Sequence, residues 1–254
     1  MADTTSKATI LVRPPDSIYE AGGRIENGTF QGRWHFSFDQ YTERDYSHFG
    51  SLRVFNDDTL SPGARWPLHH HRNIEVVTYC AGGVFRHADE RGPGGILKKG
   101  WVQHTTVGCG ISHAEINDSN DAPMRFIQMW FLPSETDLEP SVEQKQVRRE
   151  ERTNLLLPLV SNDHSDALPI VSDAKVFASY LESGRKLVHH LGTGRGAYLY
   201  ILEGGPVRLN GESLPELAAA KIIGGESEMD LVARENTELL LVEVPLAVSN
   251  RMGI

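Results

Sequence analysis

Two short strings constrain this chain more than anything else in it: His69-His70-His71 and, further along, His113-Ala114-Glu115. Each carries two metal-binding side chains at positions i and i+2. Successive side chains of a β-strand point to opposite faces, so His69 and His71 share one face of a strand, and His113 and Glu115 share one face of another. Two such strands facing each other bring three imidazoles and one carboxylate to a common point. That donor set suits a first-row transition metal and leaves coordination positions open for a substrate or O₂. The expectation is a metal held inside a β-barrel.

The surrounding sequence has an all-β texture. Short β-branched or aromatic runs, such as Leu52 to Asn56, Glu75 to Cys80, Trp101 to Thr106 and Arg125 to Phe131, alternate with Gly, Pro, Asn and Asp. The polar, charged stretch that follows Pro133 reads as a linker with room for a short helix or a crossing strand. The expected organisation is a metal-binding barrel over 1–135, a linker over 136–154 and a second barrel over 155–254. The halves look duplicated: Val77-Thr78-Tyr79-Cys80-Ala81-Gly82-Gly83 resembles Leu199-Tyr200-Ile201-Leu202-Glu203-Gly204-Gly205. Aligning Gly82 on Gly204 sets Leu191, Thr193 and Ala197 against His69, His71 and Glu75, so metal chemistry is expected in the first copy alone. His189 and His190 are adjacent, point to opposite faces and are expected at the surface or in the core.

Composition narrows the function classes. Over 254 residues, 39% are hydrophobic and 23% charged, and the formal net charge is −9. An acidic chain without a long Lys/Arg run is not built to bind a nucleic-acid backbone directly. No apolar run reaches the length of a membrane span, and Met1–Lys7 lacks a signal-peptide core, so no membrane association is expected. The two cysteines, Cys80 and Cys109, read as buried small hydrophobes in a reducing, cytoplasmic setting.

The spacing around the first string is more specific. Gly63, His69, His71, Glu75 and Gly82 reproduce the first signature of the cupin superfamily, G-x₅-H-x-H-x₃-E-x₆-G. The second signature is incomplete: Gly92 and Gly100 fit, but Lys98, Gln103 and Val107 stand where proline, the metal-binding histidine and asparagine belong. The later Gly108-Cys109-Gly110-Ile111-Ser112-His113-Ala114-Glu115 segment supplies the missing ligands. This pairing resembles the pirin family of bicupins, as do Trp34 to Phe38, Phe49 to Asp58 with its L-R-V-x-N-D-D string, and Gln128-Met129-Trp130. The likeness is closest to the bacterial branch with quercetin 2,3-dioxygenase-like members. It departs from the family at His70, where proline is usual, and at Asn73.

The resemblance implies two β-barrel (double-stranded β-helix) cupin domains and one metal held by His69, His71, His113 and Glu115. His70 should point away from it. Glu75 lies on the face of His71, where it could touch the metal or, the favoured reading, hydrogen-bond one of its ligands. His35, His48, His87, His104, His164, His189 and His190 receive no metal role. Fe(II) is the expected metal, with Ni, Co, Mn, Cu or Zn able to occupy the same donors. The implied activity is a dioxygenase opening a flavonol such as quercetin with O₂ and releasing carbon monoxide. In it Glu115 takes the substrate hydroxyl proton, and Phe49, Phe126 and Trp130 are candidates to line a slot for a flat ring. The alternative is a metal-bound regulator of the pirin type acting through a protein partner; an isomerase or a dioxygenase for another enol fits the same barrel.

Overall fold

The computed structural model describes residues 8–90, 94–224 and 227–247, so Gly92 of the second signature lies outside the described residues. The described chain forms four antiparallel sheets. In the N-terminal half a seven-stranded sheet runs in the order Ser141–Lys145, Val102–Thr106, Glu75–Gly82, Met124–Phe131, Leu52–Leu60, Gly28–Trp34, Tyr19–Ile25. It faces a four-stranded sheet of Arg65–His71, Ile111–Ile116, Val84–Asp89 and Ile96–Lys98. The C-terminal half repeats this plan. Its six-stranded sheet is ordered Thr9–Arg13, Ala219–Ile223, Arg195–Glu203, Thr237–Pro245, Lys175–Leu181, Leu157–Ser161, beside a four-stranded sheet of Lys186–Leu191, Ser227–Ala233, Val207–Leu209 and Glu212–Leu214. Both halves are cupin jelly rolls, with open two-sheet sandwiches in place of closed cylinders.

Two edge strands extend the large sheets. Thr9–Arg13 pairs with Ala219–Ile223, so the first described strand joins the C-terminal sheet. Ser141–Lys145, from the polar stretch between the halves, pairs with Val102–Thr106. Both large sheets also carry the same β-bulge. Cys80 and Gly82 pair with Phe126 and Arg125, leaving Ala81 extra, and Ile201 and Glu203 pair with Leu239 and Glu238, leaving Leu202 extra. The bulges align Ala81 with Leu202, one residue away from the register that Gly82 on Gly204 had suggested.

Alternation on the central strands builds two cores at once. Along Met124–Phe131, Met124 and Phe126 point into the N-terminal sandwich, while Ile127, Met129 and Phe131 point to the opposite face. There they meet Tyr198, Tyr200, Leu240 and Val242 of the other half. The large sheets are therefore packed face to face, and strands such as Glu75–Gly82 read as continuous apolar runs because both faces are covered. Phe49, expected in a substrate slot, belongs to this interface: it is buried, with its ring centroid 6.2 Å from that of Tyr198. Cys80 is buried as expected, but Cys109 is exposed.

Several charged and polar groups trapped in the interface find partners there. Arg125 grips Asp57 through Nε–Oδ1 (2.8 Å) and Nη2–Oδ2 (2.6 Å), and the Tyr200 hydroxyl donates to Asp57 Oδ2 at 2.6 Å. Tyr79 donates to Glu238, which also lies 3.3 Å from Arg152. Replacing Arg125 with leucine strips Asp57, only 3% exposed, of its bidentate partner. Arg125→Leu is expected to cost about 3–5 kcal/mol, read from urea unfolding of the variant beside the wild type.

Candidate metal centre

The centre is assembled by the register of two strands. Ile111 pairs with His71, Ser112 with His70 and His113 with His69. His113 thus stands directly opposite His69 on the inward face, and His70 turns outward, where its Nδ1 lies 3.2 Å from Ser112 Oγ. Beyond His113 the register slips, and Glu115 pairs with Trp66. The extra residue falls at Pro67-Leu68, and a bulge tolerates a proline that cannot donate to the ladder. The slip keeps Trp66 on the cavity side with Glu115, and Leu68 is left exposed.

The ligand atoms of His69, His71 and His113 all lie within 4.8 Å of one another. His69 Nδ1 donates to the Pro67 carbonyl at 2.8 Å, which leaves the Nε2 lone pair free. That Nε2 sits 3.1 Å from His113 Nε2. His71 Nε2 is buried without a hydrogen-bond partner. Converging imidazole nitrogens, one of them orphaned, fit a shared transition-metal ion. Burial pushes the His71 pKa down to about 4 and that of His113 down to about 2, with the neighbouring histidines adding to both shifts, so these rings are uncharged at neutral pH.

Glu115, expected as a fourth ligand, lies outside this group of converging atoms; it faces the same cavity and is 4% exposed. Burial raises its pKa, opposed by His69 and by a hydrogen bond from Gln128 Nε2. Gln128 Oε1 in turn accepts from Trp130 Nε1 at 2.8 Å, so the carboxylate is held by a chain of donors running along one strand. Behind His113 lies His87, ring centroids 5.3 Å apart, with Nε2 against Asp89 Oδ2 (2.9 Å) and Nδ1 against Gln103 Nε2 (3.2 Å). Gln103 Oε1 accepts from Gln144 at 2.8 Å. Gln103, at the position of the missing cupin histidine, therefore packs behind the ligands as support. No motif marks His87, for which the inward phase of its strand was the signal; Gln128 stood in a family-like string, but its hold on Glu115 was not read from it.

Glu75 is not near the histidines. It is fully buried at the interface, where its carboxylate accepts the backbone N–H groups of Val171 (2.8 Å) and Ser172 (2.6 Å) and lies 3.3 Å from His104 Nε2. The expectation that it would contact the metal or a ligand is corrected by the turn. Asn73 adopts a left-handed φ of 53° between the two strands, so the phase of Arg65–His71 does not carry across to Glu75. Phe126 is also placed elsewhere, in the depth of the sandwich against Phe85 (5.1 Å).

His69 and His71, with Glu115, open onto a cavity of about 490 Å³. Trp34, Trp66, Trp130, Phe30 and Phe38 give it aromatic walls, and Asn56, Asp58, Gln128 and Glu115 are its principal polar groups. Trp130 lines it and packs against the His71 ring at 4.7 Å. Trp34 Nε1 donates to Asp58 Oδ1 at 3.1 Å, and burial pushes the Asp58 pKa well above the ordinary carboxylate value. The size and the mixture of apolar wall with a few polar groups suit a small, flat ligand.

Comparison with known proteins places this architecture. Residues 19–131 match the family model described as pirin, and residues 158–244 match that of the quercetinase C-terminal cupin domain. A pirin-like protein of Caulobacter vibrioides is 34% identical over 87% of this chain and 95% of its own length. The chain belongs to the pirin family. Quercetin 2,3-dioxygenase of Escherichia coli is 28% identical over 84% of this pirin and 90% of its own length. The Escherichia coli bacterial pirin YhhW, solved in complex with nickel(II), superposes with a TM-score of 0.85 at 25% identity, covering 94% of this chain and all of that one. Among the described residues of this pirin no helix is long and apolar enough to cross a membrane.

Two outcomes follow from the centre. Glu75→Ala leaves the buried Ser172 N–H and the half-buried Val171 N–H without their acceptor and is expected to lower stability by about 1–3 kcal/mol while metal content, read by plasma emission, stays at the wild-type level; His113→Ala has the reverse emphasis, losing metal. The second outcome concerns pH. Because His71 and His113 resist protonation when folded, the unfolded chain takes up protons below the ordinary histidine value of about 6.5 that the folded chain does not. The metal-free protein is therefore destabilised by these rings as pH falls from about 7 towards about 4. Glu115, with its raised pKa, acts in the opposite sense. Urea midpoints of metal-free protein at about pH 7.5 and about pH 5 should show a pH-dependent loss that is smaller in His113→Gln than in wild type.

Proposed function

We propose that this pirin is a metal-dependent dioxygenase that opens the ring of a flavonol with O₂, with Fe(II) as its metal. The observation that carries the reading is the placing of three converging histidines and a buried glutamate at one end of an aromatic-walled cavity. His69, His71 and His113 would hold the ion, with Glu115 beside them. Once bound, the metal supplies Lewis acidity toward the adjacent hydroxyl and carbonyl of a flavonol and a redox partner for O₂.

The chain's own groups supply the rest. One Glu115 oxygen is engaged by Gln128, and the other is the acceptor for the substrate 3-hydroxyl proton. Loss of that proton makes the enol ring electron-rich. Trp34, Trp66 and Trp130 confine a flat ring and keep water away from it. Both atoms of O₂ enter the depside product, and one ring carbon leaves as carbon monoxide, so the reaction balances without an external reductant. The quercetin dioxygenase names carried by relatives support the same chemistry.

The deciding experiment is O₂ uptake and carbon monoxide release by anaerobically iron-loaded protein given quercetin. Turnover is expected in wild type, abolished in His113→Ala and reduced about 10²–10⁴-fold in Glu115→Gln, where the proton acceptor is gone but the shape is kept. An iron-loaded wild type that takes up no O₂ would reject the dioxygenase reading and favour a regulatory role through a protein partner.

A further inference from the structure

The string Asn56-Asp57-Asp58 is divided by its own alternation. Asp57 points to the interface, where Arg125 and Tyr200 hold it. Asn56 and Asp58, two residues apart, share the cavity face. They sit on the large-sheet wall, across the sandwich from the sheet that bears the histidines. Asn56 pairs across the ladder with Gln128, the residue that holds Glu115, and on its other side with Trp34.

Both are nearly closed off from solvent, Asn56 at 2% and Asp58 at 6% exposure. Asn56 Oδ1 has no hydrogen-bond partner at all. A buried amide oxygen in a cavity wall is costly to leave unpaired, and a donor carried by a ligand resolves it. Asp58 commits one oxygen to Trp34 Nε1. The wall is cut to admit that carboxyl: a Cβ on Gly32 would lie 2.1 Å from Asp58 Oδ1 and 3.0 Å from Trp34 Nε1. Opposite Asp58, only glycine leaves room for the pair.

We infer that Asn56 and Asp58 are the specificity-determining residues of the cavity, accepting hydrogen bonds from phenolic hydroxyls of the substrate other than the hydroxyl presented to the metal. This rests on the flavonol reading above and sharpens it: the substrate class becomes a flat enol that also carries ring hydroxyls. Sites that hydrogen-bond a substrate hydroxyl discriminate strongly against analogues lacking it, because their own buried groups are then left unpaired.

The test compares quercetin with 3-hydroxyflavone, which keeps the chelating enol and carbonyl but lacks the other hydroxyls. Binding to metal-loaded protein is measured anaerobically by titration calorimetry, so that no turnover intervenes. Wild type is expected to bind quercetin at least about tenfold more tightly. Asn56→Leu removes the orphan acceptor at similar volume. Asp58→Asn keeps an oxygen for Trp34 but replaces the other with a donor. Each variant should bring the affinity ratio toward unity while 3-hydroxyflavone binding, which also reports a folded site, is retained; Asn56→Ala serves if leucine is not tolerated. Equal affinity of wild type for the two flavonols, or a ratio unchanged in the variants, overturns the role of the pair and leaves the flavonol reading standing. No binding of either flavonol overturns both.

Discussion

The rest of the molecule depends on alternation, stepped by bulges, along a few strands that are buried on both faces. Leu52–Leu60, Glu75–Gly82 and Met124–Phe131 lie at the centre of the seven-stranded sheet, and each turns one set of side chains to the interface; the other set of the first and third reaches the cavity, and that of Glu75–Gly82 packs inside the sandwich. Phe55, Tyr79, Ile127, Met129 and Phe131 are all fully buried on the interface side. At about 1.5–3 kcal/mol for each large apolar side chain buried, that face requires a cover. The second cupin is the cover. Its first contribution to the metal centre is therefore mechanical: it holds the sheet whose opposite face carries Asn56, Gln128 and Trp130.

Within that frame the centre is set by register more than by composition. His113 meets His69 because the two strands pair in that phase, and a slip of one residue beyond it brings Trp66 to the same face as Glu115. Two hydrogen-bonded chains then fix the groups from behind. Trp130 and Gln128 hold Glu115, while Gln144 and Gln103 hold His87 against the His113 ring. Supports of this kind restrict rotation of the groups they touch and so prepare the site for an ion.

What could be read from the sequence follows the same rule. The i, i+2 pairs His69/His71 and His113/Glu115 were legible because each lies inside one strand, where phase is fixed. Glu75 was not, because the turn at Asn73 stands between it and His71, and an even count of residues across a turn carries no information about facing. Phe49 and Phe126 fail for different reasons. The first lies on the interface side, and the second is on the correct face but too deep along its strand. The strand running into a Gly-Gly turn in each half supplied the duplicated plan, and the family resemblance gave that plan its bicupin form. The N-D-D string was visible, yet its division between interface and cavity needed the neighbouring strands.

Depth along the strands also accounts for why only one cupin carries a site of this kind among the described residues. The shared bulge aligns the row Asn56, Gln128, Thr78 of the first half with Phe177, Leu241, Leu199 of the second. Each row runs across three paired strands at the same level and faces inward. In the first half it is polar, and it supports Glu115 and lines the cavity wall. In the second it is apolar, so an ion at the equivalent level would find no group able to hold a carboxylate in place. One position further toward the mouth, Trp130 is replaced by Glu243, which is spent on His189 and on Arg195 at 3.1 Å. The two cupins divide one plan: the polar row in the first lines the cavity and supports Glu115, and the apolar row in the second serves packing, which lets that half act as a rigid backing for the first.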